Sequence, residues 1–447
     1  MFQGFKHSVK GLRYLIDMDL LKRQNGIHSM SELMTKARMH ERGLRIPDTN
    51  PEELAVLVFT SGSMGRAKGV MLSQKNICTN IIDMRSMVRI FPEDRFLSVL
   101  PMHHTYECTC GFLCALSAGS SVHYARSLKT VVEDLQSVRA TMLLGVPLLY
   151  EKMYRRICKA IEDKKLTSVL IGPLKSVSGL LETIGLKDAR KILFGEIHRK
   201  FGGAIRLFVV GGAAVDPQVA TGLRSFGFKF IQGYGLTETA PILALNRLEQ
   251  FKDEAAGIPL PSVKISIAEP DPQGRGEILA QSPTVMLGYY KNEQATNDVM
   301  RDGWFHTGDV GFIDSDGFLH VNGRMKNVII SRTGENVFPE EIEDKLHNIP
   351  FLLESIVYGG KDNTGDEEVH TLVVPNAEYF IEFAGKHHLD VTRELVEKTI
   401  KEEIKQLNKT LPVHKQIKRV RIQDSEFEKT TTQKIKRYLI NQEDSTH

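Results

Sequence analysis

One stretch constrains this chain more than any other: Leu57-Val-Phe-Thr-Ser-Gly-Ser-Met-Gly-Arg-Ala-Lys-Gly69. The apolar residues Leu54, Val56, Leu57, Val58 and Phe59 predict a buried strand, and the run stops abruptly in hydroxyls and glycines. Such a break suits a phosphate loop. Gly62 and Gly65 let backbone N–H groups approach an anion, Thr60, Ser61 and Ser63 add hydroxyl donors, and Lys68 adds a mobile positive charge. The pattern is not the Walker loop, which closes in Gly-Lys-Ser/Thr; here Gly62 and Gly65 precede Lys68-Gly69. A plain polar turn after a strand has the same composition, so the loop alone does not decide between the two.

The chain has 447 residues, enough to bury a sizeable core and to form two or more domains. Its 41% hydrophobic and 25% charged residues fit a globular enzyme, and a net charge of +3 argues for neither a nucleic acid nor a membrane surface as partner. Cys78, Cys108, Cys110, Cys114 and Cys158 form no paired framework, and their odd number fits a reducing compartment. The group from Cys108 to Cys114 lacks zinc-knuckle spacing and has apolar neighbours, which predicts small core residues. The first residues contain no apolar signal core and no run is long enough for a membrane span, so a cytoplasmic location is expected.

In chain order, Ser29-Met-Ser-Glu32 reads as a capping box for a helix closing near Gly43, and residues 46–51 read as a linker. A strand signal ending at Pro101 delivers His103 and His104 to a strand end, where open α/β sheets bind ligands. An isolated histidine pair more often only bonds locally. Between residues 120 and 215, strand signals at 122–124, 141–145 and 205–210 alternate with helices at 128–138 and from Pro147. That alternation predicts a largely parallel sheet with helices on its faces.

In Gln232-Gly-Tyr-Gly-Leu-Thr-Glu-Thr-Ala-Pro241, Gly233 and Gly235 free the backbone beside Tyr234, whose ring suits a purine. Thr237 can donate to phosphate and Glu238 can hold a magnesium ion. Residues 274–291 read as antiparallel strands of a small β-rich subdomain. Asp309, held between Gly308 and Gly311, can accept two hydrogen bonds from a vicinal diol such as that of ribose. Arg324 has the fork geometry for ribose or phosphate oxygens. Strand signals at 353–358 and 371–374 and a charged helix at 391–411 read as a compact terminal α+β domain.

Together these motifs resemble the adenylate-forming superfamily of acyl-CoA synthetases, luciferases and adenylation domains. Its usual loop is Thr-Ser-Gly-Ser/Thr-Thr-Gly-x-Pro-Lys-Gly, from which this chain departs at Met64 and Ala67. Its Tyr-Gly-x-Thr-Glu is matched from Tyr234 to Glu238. The resemblance implies phosphate contacts from Thr60, Ser61, Gly62, Ser63, Met64, Gly65 and Lys68. It further puts Tyr234 on adenine, Thr237 on phosphate, Glu238 on magnesium and Asp309 on ribose, and has His104 line the acyl and ATP pocket. It makes Lys326 a hinge and Gly334 the passage for a pantetheine arm. It sets Lys434 on the α-phosphate through the Lys-Ile-x-Arg register, with Gln433 in place of a glycine.

The implied fold is α/β. A large N-terminal domain, residues 1–323, has mostly parallel sheets flanked by helices and a β-rich subdomain. A hinge at 324–327 leads to a small α+β C-terminal domain at 328–447. Relatives in this superfamily carry a longer portion before the phosphate loop, so part of the first subdomain is expected to be missing. The implied reaction joins a carboxylic acid to ATP as acyl-AMP, releasing pyrophosphate, and then to coenzyme A, releasing AMP. ATP and Mg2+ serve the first step, and no enzyme nucleophile is needed. Val146-Pro-Leu-Leu-Tyr-Glu151 and a helical stretch near 151–201 resemble the long-chain fatty acid ligases. Lys152, Arg155, Arg156 and Lys159 form either a solvated helix face or a contact for lipid headgroups. Loading of an acyl carrier protein, or a truncated homologue that binds without turnover, are the alternative readings.

Overall fold

The computed structural model describes residues 14–39, 48–60, 67–162, 189–332, 334–362, 365–430 and 435–439. The chain divides into two compact units, Met1–Asn50 and Pro51–His447. In the first, the short strands Ile16–Asp17 and His28–Ser29 pair in parallel ahead of the helix Met30–Met39. The Glu32 N–H donates to Ser29 Oγ at 3.2 Å, and the Glu32 carboxylate accepts from the Arg23 N–H at 2.9 Å. The Ser29 half of the expected capping box therefore forms, while the Glu32 carboxylate reaches the Arg23 N–H instead of that of Ser29. Gly43, where the helix was expected to close, lies outside the described residues.

The second unit is built on a seven-stranded sheet. Five strands, Ser121–Tyr124, Arg95–Ser98, Met142–Gly145, Leu207–Val210 and Phe230–Gly235, run parallel in that spatial order. Ile242–Leu245 and Ile258–Pro259 then extend the sheet antiparallel. Successive side chains of a strand point to opposite faces. Phe96, Met142, Leu144, Leu207 and Ile231 accordingly enter one apolar core, while Leu97, Leu143, Phe208 and Phe230 enter the other. A sheet covered on both faces reads as continuous apolar runs, as Met142-Leu-Leu-Gly145 does at four buried positions. Burying a side chain such as Phe208 contributes about 2–3 kcal/mol.

The strand Leu54–Thr60 departs from expectation. It is the outer strand of a separate three-stranded sheet, paired antiparallel with Lys68–Ser73, whose other neighbour is Gly288–Tyr289. Leu54 is 47% and Phe59 62% exposed. A short apolar run looks the same whether both faces are buried or one, so its composition could not separate these cases.

The expected β-rich subdomain is a five-stranded antiparallel sheet formed by Lys264–Ala268, Gly276–Gln281, Met300–Arg301, Trp304–Ile313 and Leu319–Arg324; Gly288–Tyr289, read from the sequence as part of it, pairs instead with Lys68–Ser73. Beyond it, Leu352–Lys361 and Glu367–Pro375 pair antiparallel, and Arg419–Ile422 joins in parallel. The helices Pro339–Leu346, Ala377–His387 and Arg393–Thr410 cover that sheet, and Ile342, Phe380 and Ile400 share its core. The helix Ala377–His387 and the parallel third strand had not been read from the sequence.

Cys110 and Cys114 are buried, as expected of core residues, and all five cysteines are free thiols. No helix among the described residues is long and apolar enough to cross a membrane.

Candidate active site

The hairpin Leu54–Thr60/Lys68–Ser73 sets up the phosphate end of the site. Thr60 and Lys68 face each other across it, with Thr60 Oγ1 3.5 Å from the Lys68 carbonyl oxygen. Ser61, Gly62, Ser63, Met64 and Gly65 lie outside the described residues. Lys68 Nζ lies 4.7 Å from the centroid of the Tyr289 ring, and the Tyr289 hydroxyl donates to Glu238 Oε1 at 2.8 Å. Burial first, and the Glu238 charge second, push the Tyr289 hydroxyl far above its ordinary value, so it remains a donor. Cation, aromatic ring and carboxylate are thus tied into one group.

Thr237 and Glu238 occupy a short 3-10 turn, Thr237–Thr239, just beyond the strand Phe230–Gly235. The turn is fixed by the Thr239 side chain, which bonds the Leu236 N–H and the Pro241 carbonyl. Gly235 is dictated by packing as well as by any ligand: a Cβ there would lie 1.9 Å from the Pro241 carbonyl oxygen. At Gly233 a Cβ would meet Leu245 Cδ1 at 2.9 Å. Among the described residues no cluster of three His, Cys, Asp or Glu could hold a metal. A magnesium ion that draws most of its ligands from phosphate oxygens and water needs only a carboxylate or two from protein. Glu238 fits that requirement.

The nucleoside end centres on Asp309, which is 5% exposed. Tyr234 Oη donates to Asp309 Oδ2 at 2.6 Å, and Arg324 Nε lies 2.8 Å from Asp309 Oδ1. Burial, followed by the Asp309 charge, raises the Tyr234 hydroxyl well above its usual range. Arg324 faces Asp309 across paired strands and also donates from Nη1 to the Thr307 carbonyl at 3.2 Å. Lys326 follows in a 3-10 turn, Met325–Asn327. Partial burial and the nearby cations Arg324, Arg437 and Lys68 lower its ammonium, against the pull of Asp309. Lys68, Arg324 and Arg437 therefore all bear on Lys326, although Arg324 is paired with Asp309 and Arg437 with Glu343.

The remaining expected residues fall elsewhere. His104 lies beyond the strand Arg95–Ser98, at the carboxyl edge of the parallel strands. Its N–H donates to the Pro101 carbonyl at 3.0 Å, and its ring centroid is 4.4 Å from that of His103. It leads into a π-helix, Tyr106–Leu113, in which the Glu107 carboxyl is 1% exposed. Burial pushes Glu107 to about 7, although hydrogen bonds from Ser98 and Leu100 oppose the shift. Glu107 Oε2 has no hydrogen-bond partner among the described residues. Gly334 adopts the left-handed conformation, φ +80°, in the turn between Ile329–Ile330 and Asn336–Val337. Lys434 lies outside the described residues.

Sequence reasoning did not single out Tyr289, whose role depends on a strand pairing, or Arg437, which closes the Lys-Ile-x-Arg register. Tyr150, part of the segment that suggested a long-chain substrate, is fully buried and donates to the Leu143 and Val209 carbonyls. Its position is thus explained by sheet packing. Two residues of the basic helix face meet protein: Arg155 donates to the His347 carbonyl at 3.2 Å, and Lys159 lies 3.5 Å from Glu382.

Residues 6–290 match the AMP-binding enzyme family. The chain belongs to that family. It is similar to a feruloyl-CoA synthase from Amycolatopsis, 32% identical over 72% of this chain and 60% of the relative. A long-chain-fatty-acid–CoA ligase from Mycobacterium bovis is 29% identical over 75% of this chain and 57% of the relative. The chain therefore spans about three-fifths of the length of these curated relatives. Among solved structures, an anthranilate CoA ligase in complex with anthranoyl-AMP shares the fold, with a TM-score of 0.74 and 18% identity over 99% of this chain and 75% of that one.

Proposed function

We propose that the protein is an ATP-dependent acid–CoA ligase that forms an acyl-adenylate and then a thioester, with a long-chain fatty acid as substrate. The observation that carries this reading is the set of two side-chain groups, Lys68–Tyr289–Glu238 and Tyr234–Asp309–Arg324, with the Arg324 charge bearing on the Tyr289 hydroxyl of the other group. A carboxylate has no good leaving group. Attack of its oxygen on the α-phosphorus of ATP expels pyrophosphate and leaves AMP as the leaving group for a thiol. Such a reaction needs oriented positive charge around the phosphoryl group, not an enzyme nucleophile. In this reading Thr60 through Gly65, Lys68 and Thr237 hold the phosphates, Glu238 holds Mg2+, Tyr234 bears on adenine and Asp309 and Arg324 on the ribose. Lys434 serves the α-phosphate, His104 borders the acyl pocket, and Gly334 lets the pantetheine arm of coenzyme A pass.

Residues 1–323 bind ATP and acid in this scheme, 324–327 act as hinge through Lys326, and 328–447 move between the two half-reactions. The odd number of cysteines fits the reducing, cytoplasmic setting this reading expects. A second reading, an aromatic acid as substrate, is favoured by the 32% identity to the feruloyl-CoA synthase. Thioester formation with coenzyme A, measured over saturated fatty acids of increasing length and over hydroxycinnamic acids, tests both. A maximum at long chains supports the first reading and a maximum at hydroxycinnamates the second. Adenylate that accumulates without transfer to coenzyme A would count against a CoA ligase.

A further inference from the structure

Asp309 does not lie on a regular strand. In the pairing of Gly276–Gln281 with Trp304–Ile313, Glu277 faces Val310 and Leu279 faces His306, so Thr307, Gly308 and Asp309 all lie opposite Ile278. This bulge re-aims the Asp309 side chain. It requires Gly308 in the left-handed conformation, φ +68°, and its own hydrogen bonds must be met by something other than the ladder.

Thr307 meets part of that need, donating from Oγ1 to the Ile278 carbonyl at 2.7 Å and accepting from the Asp309 N–H at 3.1 Å. Arg324 meets the Thr307 carbonyl, and Glu277 meets the Gly308 N–H. Its Oε1 accepts from the Gly308 N–H at 3.1 Å, and its Oε2 lies 2.7 Å from His306 Nδ1. The Glu277 side chain is only 14% exposed, and Arg301 Nη2 lies 2.9 Å from the same His306 nitrogen. One carboxylate therefore grips the bulge on both sides of Thr307, immediately before Asp309.

We propose that Glu277 is a positioning residue for nucleotide recognition, holding Gly308 and His306 so that the Asp309 carboxylate meets the vicinal hydroxyls of the ribose and selects ribonucleotides over dideoxynucleotides. The inference rests on the reading of Asp309 as the ribose contact. Glu277 touches no substrate; it acts through the bulge.

The test is direct binding of ATP and of 2′,3′-dideoxyadenosine triphosphate, both with magnesium, to the full chain by titration calorimetry. Wild type is expected to prefer ATP by about tenfold or more, since the dideoxynucleotide lacks the hydroxyls that would add hydrogen bonds to the charged Asp309 acceptor. Glu277→Ala is expected to bring that ratio close to one by weakening ATP while leaving the dideoxynucleotide unchanged. Glu277→Gln, which keeps an acceptor for the Gly308 N–H, is expected to restore most of the preference. Glu277→Gln also carries the test if the alanine variant does not fold: a Gln variant with no preference at all overturns the proposal. Equal weakening of both nucleotides in Glu277→Ala, or an unchanged ratio, also overturns it. A wild type without any preference removes the ribose reading of Asp309 itself, an outcome distinct from a failure of Glu277.

Discussion

Replacing Glu107 by glutamine should change how stability responds to pH. The carboxyl is 1% exposed on the π-helix Tyr106–Leu113, and burial raises it from the ordinary 4.5 to about 7. Below pH 4.5 the group is neutral in folded and unfolded chains alike, and it contributes its full share of stability. Between 4.5 and 7 the unfolded chain releases the proton while the folded chain retains it, so stability falls as pH rises. Above 7 both states are ionised and the loss is complete. Each pKa step of one is worth about 1.4 kcal/mol, so the whole loss is about 3 kcal/mol. Glu107→Gln stays neutral throughout and should escape it. Denaturant midpoints of wild type and variant, measured from pH 4.5 to 8, should therefore diverge progressively in favour of the variant. A difference that stays flat, or that narrows as pH rises, would refute the argument that the buried carboxyl resists ionisation.

Two further substitutions probe the scaffold and the proposed hinge. Gly235→Ala should destabilise the fold by about 3 kcal/mol, because the new methyl would overlap the Pro241 carbonyl oxygen; unchanged stability with lost ATP affinity would mean that the glycine serves only the ligand. Lys326→Pro should leave adenylation intact and abolish thioester formation in separate half-reaction assays; equal loss of both would remove Lys326 as the hinge.

The parallel sheet was legible because alternating strand and helix signals constrain topology strongly, and the buried run Met142–Gly145 carries its own signature. The terminal α+β region was legible only in part, since Ala377–His387 and Arg419–Ile422 are short and mix polar with apolar residues. Leu54–Thr60 showed the limit of composition: its strand character was plain, but its outer position follows from Gly288–Tyr289, more than two hundred residues away, taking the other edge of its hairpin partner Lys68–Ser73. The same limit governs the site. Tyr234, Glu238, Asp309 and Arg324 stand in motifs the sequence displays, and the structure brings Tyr234 and Arg324 onto Asp309. Tyr289 and Glu277 could not be singled out in the sequence, because each matters through what a neighbouring strand brings to it. Gly235 was read as freedom for a ligand, and its closest constraint is instead the carbonyl of Pro241.

The central claim is that this site activates a carboxylic acid on ATP, and acid-dependent ATP–pyrophosphate exchange tests it most directly. Wild type should exchange label into ATP only when an acid is present, over a panel containing long-chain fatty and hydroxycinnamic acids. Lys68→Ala and Lys434→Ala should each reduce that exchange by about a hundredfold to a thousandfold, the loss of one preorganised charge at the transition state. Folded protein that binds ATP but exchanges with no acid, or that exchanges equally well without Lys68 and Lys434, would contradict the account.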